Sequence, residues 1–297
     1  MRVFVTGASG FVGAAVVQEL VAAGHRVQGM VRSEEAAQKL LATGAEAHRG
    51  DLDNLESIRN GAAGCDAVIH TAFNHDFTRF KENCETDRKV IGALAAALAG
   101  SSRPLVVTSG IGLLSGFDRP VTELDSPAAD AQQMPRVATD EAVRAATELG
   151  VKAYLLRLPP SVHGRGDHGF VPMLIDIARN KGVSAYAGEG LNRWPAVHRL
   201  DAAVLYRLII ESQPVQKVFH AVAENGIPFK EIADAIATGL NLPLVSKTVA
   251  EAAGHFGWFN HFAQINCPAG ATLTMEQTGW QPRQPGLIDD INTAGYI

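Results

Sequence analysis

Thr6-Gly7-Ala8-Ser9-Gly10-Phe11-Val12-Gly13 follows an apolar run, Val3-Phe4-Val5, and opens onto a helical pattern. From Phe11 to Ala23 apolar residues recur at three- and four-residue steps, and Gly24 offers a stop. A strand, a glycine turn and a helix in that order bring free backbone N–H groups and the positive end of a helix dipole to one point. The glycines permit the tight turn, the close approach of a pyrophosphate and the packing of helix on strand. The stretch therefore reads as a dinucleotide-binding turn, with Gly7, Ser9, Gly10, Phe11, Val12 and Gly13 around the phosphates. It lacks the Gly-Lys-Ser/Thr of a phosphate-transferring loop.

Outward from this turn, short apolar runs alternate with helical patterns as far as Leu158. Candidate strands are Val3–Thr6, Arg26–Val31, Ala45–Arg49, Ala67–His70, Leu105–Thr108 and Lys152–Leu158. Helical stretches between them contain Leu40–Leu41, Leu55–Ile58 and Val90–Leu98. The alternation predicts an α/β fold, a Rossmann-type doubly wound parallel sheet covered on both faces. Past Pro159 the rhythm breaks. Pro159–Gly169 reads as a loop, Phe170–Asn180 and Leu200–Glu211 as helices, Val218–Ala223 as a strand and Pro228–Gly239 as a helix. Residues 1–165 are expected to form the nucleotide-binding domain, with 196–223 returning to it. Residues 166–195 and 224–297 are expected to form a smaller C-terminal substrate lobe.

At 297 residues, 46% hydrophobic and 19% charged, the chain can bury a sizeable core. Its net charge of −5 and the absence of any long Lys/Arg cluster argue against nucleic acid or an anionic membrane as partner. No apolar stretch approaches the ~20 residues of a membrane-spanning helix. The run after Met1 is strand-like, unlike a signal peptide. Cys65, Cys84 and Cys267 are odd in number and lack CxxC spacing, so neither disulfides nor zinc are suggested and a reducing, cytoplasmic compartment fits. His163/His168 and His255/His261 lack the i, i+4 spacing of a helical zinc pair, so no metal is expected. No Gly-x-Ser-x-Gly hydrolase elbow occurs.

The second strand ends Met30-Val31-Arg32-Ser33, with no acid at its tip to bind a ribose 2′-hydroxyl. Arg32 can pair with a 2′-phosphate, assisted by Ser33, which favours NADP(H) over NAD(H). Arg32 as a solvated loop charge is the alternative.

These residues resemble the extended short-chain dehydrogenase/reductase superfamily of the epimerase/dehydratase type. The likeness rests on the glycine turn, on Gly50-Asp51-Leu52, on Val68-Ile69-His70-Thr71-Ala72 and on Val106-Val107-Thr108-Ser109. It continues in Leu156-Arg157-Leu158-Pro159-Pro160-Ser161-Val162-His163-Gly164 and in Val197-His198-Arg199-Leu200-Asp201. The resemblance implies adenine contacts from Asp51 and Leu52. It implies that Thr71, Ala72 and Phe73 line the cofactor, with Thr108 beside it, and that Pro160, Ser161 and Val162 lie near the nicotinamide. It also implies a homodimer through helices flanking the fourth and fifth strands.

One departure outweighs the matches. The superfamily's Tyr-x-x-x-Lys pair should lie between the fifth and sixth strands, yet no Tyr or Lys occurs between Arg103 and Val151. The first tyrosine is Tyr154, and the helix region reads Met134-Pro135-Arg136-Val137-Ala138-Thr139-Asp140-Glu141. An atypical member with a replaced proton donor is the resulting expectation.

Residues beyond the carboxyl ends of the strands could supply it. Thr108, Ser109 and His163 are the candidate catalytic residues, and His163 is preferred because imidazole titrates near neutral pH. Asn74, His75, Arg165, Asp167 and His168 should project into the same region, with Asp167 a candidate acid–base partner of His163 or His168. Arg136 could orient a ribose or an anion, or be a solvated helix charge. His198 suits a structural role. Phe256, Trp258, Phe259 and Phe262 could roof an apolar substrate or simply form core.

The leading reading is an NADP(H)-dependent oxidoreductase acting on a small carbonyl or alcohol substrate. A non-catalytic NADP-binding redox sensor or scaffold is the second. A nucleotide-sugar epimerase or dehydratase is the third, ranked lower because Arg165, Arg179, Lys181 and Arg193 are scattered.

Overall fold

The computed structural model describes residues 1–297. Strands β1 (Arg2–Thr6), β2 (Arg26–Val31), β3 (Glu46–Arg49), β4 (Ala67–His70), β5 (Pro104–Gly110) and β6 (Lys152–Leu158) come first. They alternate with α1 (Phe11–Ala22), α2 (Glu34–Leu41), α3 (Leu55–Ala63), α4 (Phe80–Leu98) and α5 (Ala138–Glu148). Next come β7 (Ser161–His163), α6 (Phe170–Lys181), β8 (Ser184–Ala187), β9 (Arg193–His198), α7 (Arg199–Ser212) and β10 (Val218–His220). Then follow β11 (Glu224–Pro228), α8 (Phe229–Leu240) and β12 (Leu244–Lys247), and the last helix is Leu287–Thr293.

The main sheet has seven parallel strands in the order β10-β6-β5-β4-β1-β2-β3. Its order reverses between β1 and β4, and a crevice at such a switch point is where open α/β sheets bind ligands. Each central strand is buried on both faces, so successive side chains feed two cores. Val3 and Val5 point into the core with α1 and α7, whereas Phe4 and Val68 join α3, α4 and α5. This pattern is what parallel strands covered by helices require.

Two small sheets, β11-β9-β7 and β12-β8, complete the fold. With α6, α8 and the last helix they enclose a third core around Trp194, Phe229 and Phe259. The Pro159–Gly169 stretch departs from the loop expectation, because Ser161–His163 pairs with β9 as a strand. β10 also stops at His220 rather than Ala223. No helix is long and apolar enough to cross a membrane.

Candidate active site

The glycine turn takes the shape its residues demand. Gly7 has a φ of +70°, and a Cβ there would meet the Ala72 nitrogen at 2.7 Å. A Cβ on Gly13 would lie 2.0 Å from the Gly7 carbonyl oxygen. Gly10 caps α1 with no side-chain hydrogen bond, leaving the first N–H groups of the helix free of protein side chains. Thr71 donates to the Thr6 carbonyl across 2.7 Å, which fixes the loop after β4 against the turn. Beside it, Ser9, Arg32, Ser33 and Ala36 line a cavity of about 350 Å³. Arg32 is exposed, and Ser33 caps α2 by accepting from the Ala36 N–H at 3.1 Å. The Ser161 hydroxyl is buried without a partner. A cradle closed to side chains, an uncapped helix start, a basic pocket and an orphaned hydroxyl together suit a dinucleotide.

Asp51 is half-buried, its carboxylate accepting from the Asp53 N–H at 3.0 Å, with Leu52 against the α3 core. Thr71, Ala72, Phe73, Pro160 and Val162 are half-buried, and Ser161 is buried.

Below the switch point runs a chain of buried polar groups. The β1–β4 register pairs Thr6 with His70, and the Thr6 hydroxyl lies 2.6 Å from His70 Nδ1. His70 Nε2 is 2.9 Å from Asp87 on α4. Arg136 donates to Asp87 across 2.7 Å and to the Thr108 carbonyl across 3.2 Å, and its guanidinium lies 4.0 Å over the Phe73 ring. Burial pushes the Asp87 carboxyl up. The Arg136 charge and the bonds from His70 and Thr139 outweigh it and hold Asp87 well below the usual carboxylate range. Arg136 is thus a fixed cation in a buried pair, not a solvated helix charge.

The candidate catalytic residues are less free than the sequence suggested. Thr108 donates to the His70 carbonyl across 2.8 Å and shares a 2.6 Å hydrogen bond with Tyr206, whose phenol burial makes less acidic. Ser109 donates to Asp140 at 2.6 Å and is 4% exposed, while Asp140 also accepts from Arg157 at 2.9 Å. His163, the preferred donor, is the least accessible of the three. Its ring is 1% exposed, and Nδ1 lies 2.6 Å from Asp290 on the last helix. The parallel β7–β9 register sets it beside His198, ring centroids 5.5 Å apart. His198 in turn caps α7 by accepting from the Leu200 N–H. Asp167 does not pair with either histidine; it accepts from Tyr296 at 2.8 Å and from the Gly169 N–H.

His75 remains open. It is exposed, with ring centroids 5.2 Å from Phe73 and 6.4 Å from Phe77. Desolvation among these rings, followed by the Arg136 charge, lowers its basicity. The aromatic segment divides. Phe256 and Phe259 are core, whereas Trp258 is 60% exposed and, with the half-buried Phe262, stands 5.4 Å from Phe77. Asp87, Asp140, Tyr206 and Asp290 carried no local sequence signal.

A family model described as NAD(P)H-binding matches residues 7–156. The chain belongs to this family. An uncharacterised protein of Schizosaccharomyces pombe is 46% identical to this NAD(P)H-binding chain over 297 residues, covering 100% of both. The 4-hydroxy-2-methyl-3-oxo-4-farnesyl-3,4-dihydroquinoline-1-oxide ketoreductase of Stigmatella aurantiaca is 35% identical over 198 residues, covering 61% of this chain and 56% of its own. The dTDP-glucose 4,6-dehydratase of Streptomyces venezuelae superposes with a TM-score of 0.79 at 18% identity, over 100% of this chain and 96% of its own, and so shares the fold. Between β5 and β6 this NAD(P)H-binding chain carries Arg136 and Asp140 and no Tyr or Lys.

Proposed function

We propose that this protein is an NADP(H)-dependent oxidoreductase that interconverts a carbonyl and an alcohol on a small, apolar substrate. The cavity of Ser9, Arg32, Ser33 and Ala36 beside the glycine cradle carries the reading. It offers a cation and two hydroxyls where a 2′-phosphate would add charge, and no carboxylate for a free 2′-hydroxyl. When bound, the dinucleotide supplies hydride chemistry at its nicotinamide. The chain's own residues hold the adenosine end at Arg32 and the phosphates at the start of α1.

His75 delivers the proton at the carbonyl oxygen. It is the accessible imidazole among the groups flanking Arg136, whereas Thr108, Ser109 and His163 already spend their protons on protein acceptors. Arg136, held by Asp87, supplies fixed positive charge beside it. Phe73, Phe77, Trp258 and Phe262 form an aromatic wall suited to an apolar substrate, and the Stigmatella aurantiaca relative is named for a farnesylated quinoline ketone. A nucleotide-sugar diphosphate finds less support. Arg179 pairs with Asp176 and Arg193 donates to the Gly226 carbonyl.

The test is NADPH or NADH consumption with a panel of aryl and alkyl ketones. NADPH-selective turnover that falls at least tenfold in His75→Ala is expected. Tight NADPH binding without turnover on the panel would favour the sensor instead.

A further inference from the structure

The guanidinium of Arg199 lies 4.9 Å from the centroid of the Phe11 ring. Phe11 is the first residue of α1 and Arg199 the first of α7, and these two helices pack against each other. Two helix starts therefore stand side by side at the carboxyl edge of the sheet. The His168 ring meets the same Phe11 ring at 5.7 Å.

Arg199 is half-buried, its Nε is buried without a partner, and it makes no ion pair or side-chain hydrogen bond. The buried Nε atoms of Arg2 and Arg157 also lack partners, but those guanidiniums are answered through their Nη groups, Arg2 by Gln28 and Glu46. Arg157 reaches Asp140 and the Asp125 carbonyl, Arg136 reaches Asp87 and the Thr108 carbonyl, and Arg103 reaches the carbonyls of Ala62, Ala63, Cys65 and Ala97. The nearest acid along the chain, Asp201, is occupied by the backbone N–H groups of Arg283 and Gln284. Stacking on Phe11 accounts for the side chain's position but satisfies none of its N–H donors. A partly desolvated cation with donors unmet costs free energy unless an anion joins it.

We propose that Arg199 is a cofactor-binding residue whose free guanidinium N–H groups take the pyrophosphate of the dinucleotide. It adds a charged clamp from α7 to the dipole and N–H groups of α1. Because β9 runs directly into Arg199, the clamp couples the cofactor to the small lobe. The assignment rests on the dinucleotide site proposed above, though not on its preference for NADP.

The experiment measures dissociation constants by titration calorimetry for wild type, Arg199→Gln, Arg199→Lys and, as a control, Arg32→Met. NADPH carries the pyrophosphate, and 2′-AMP reaches only the Arg32 pocket. Arg199→Gln should weaken NADPH by roughly ten- to hundredfold and leave 2′-AMP unchanged, with Arg199→Lys between. Arg32→Met should weaken both ligands. NADPH binding to Arg199→Gln at wild-type strength, or equal loss of NADPH and 2′-AMP, would overturn the assignment, the latter marking a general structural lesion. If wild type prefers NADH, the NADP reading falls while Arg199 is still judged by NADH against adenosine. A wild type that binds neither dinucleotide overturns both.

Discussion

His163 Nδ1 lies 2.6 Å from an Asp290 carboxylate oxygen, so the last helix is pinned to the strand that follows β6. Both side chains are nearly inaccessible. Removing one member of such a pair leaves the other buried and uncompensated, at a cost of about 3 kcal/mol. His163→Ala should therefore lower the urea midpoint while its NADPH dissociation constant stays at the wild-type value. Loss of cofactor affinity in a stably folded variant would return His163 to the site.

On the proposed reading, Arg32 decides between the dinucleotides. Arg32→Ala should weaken NADPH by roughly ten- to hundredfold, the worth of a charge-assisted contact to phosphate, and leave NADH unchanged. Parallel titrations of the two ligands check this.

Gly13 faces the Gly7 carbonyl too closely for any side chain. Gly13→Ala should abolish the thermal stabilisation that NADPH gives to wild type, because either the turn or the start of α1 must move. Thermal melts with and without NADPH read it directly.

His220 is fully buried, its Nδ1 donating to the Gly270 carbonyl at 2.9 Å and its Nε2 facing Arg157. Burial lowers its pKa from 6.5 to about 4, with the Arg157 charge adding to the shift and the Gly270 bond opposing it. Between these values the unfolded chain binds a proton that the native state refuses. Its stabilising contribution is thus complete above about pH 6.5 and is lost as the pH falls toward 4, by about 3 kcal/mol in all. Unfolding free energies measured across that window should show the slope, and His220→Gln should flatten it.

Trp258 is 60% exposed, yet its ring lies 5.4 Å from that of Phe77 after β4. Trp258→Ala should raise KM for an aryl ketone about tenfold, within the usual cost of losing an aromatic contact to a bound ligand, and leave NADPH affinity unchanged. Steady-state kinetics with cofactor and ketone varied separately distinguish the two effects.

The parallel sheet was legible because most of its strands are short apolar runs, the polar β3 (Glu46–Arg49) excepted, and its clearest connecting helix, α1, repeats at three and four residues. The glycine turn was legible because its function requires a strand before it and a helix after. β7 escaped notice because three residues behind two prolines carry no periodicity. The proton chemistry was the least legible part. His163 takes its role from Asp290, 127 residues on, Thr108 from Tyr206, 98 residues on, and Ser109 from Asp140, 31 residues on. Burial and register settle those pairings, and neither is written in the local pattern. The Phe256–Phe262 segment failed in another way: its residues are alike in hydrophobicity, so only packing separates the buried Phe256 and Phe259 from the exposed Trp258.

The most direct measurement is single-turnover transfer from NADPH carrying deuterium at the reactive nicotinamide carbon to an aryl ketone, followed by mass spectrometry of the product. An alcohol with one deuterium on its carbinol carbon is expected, formed faster by wild type than by His75→Ala. NADPH that binds in the Arg32 pocket while the ketones are recovered unlabelled and unreduced would contradict it.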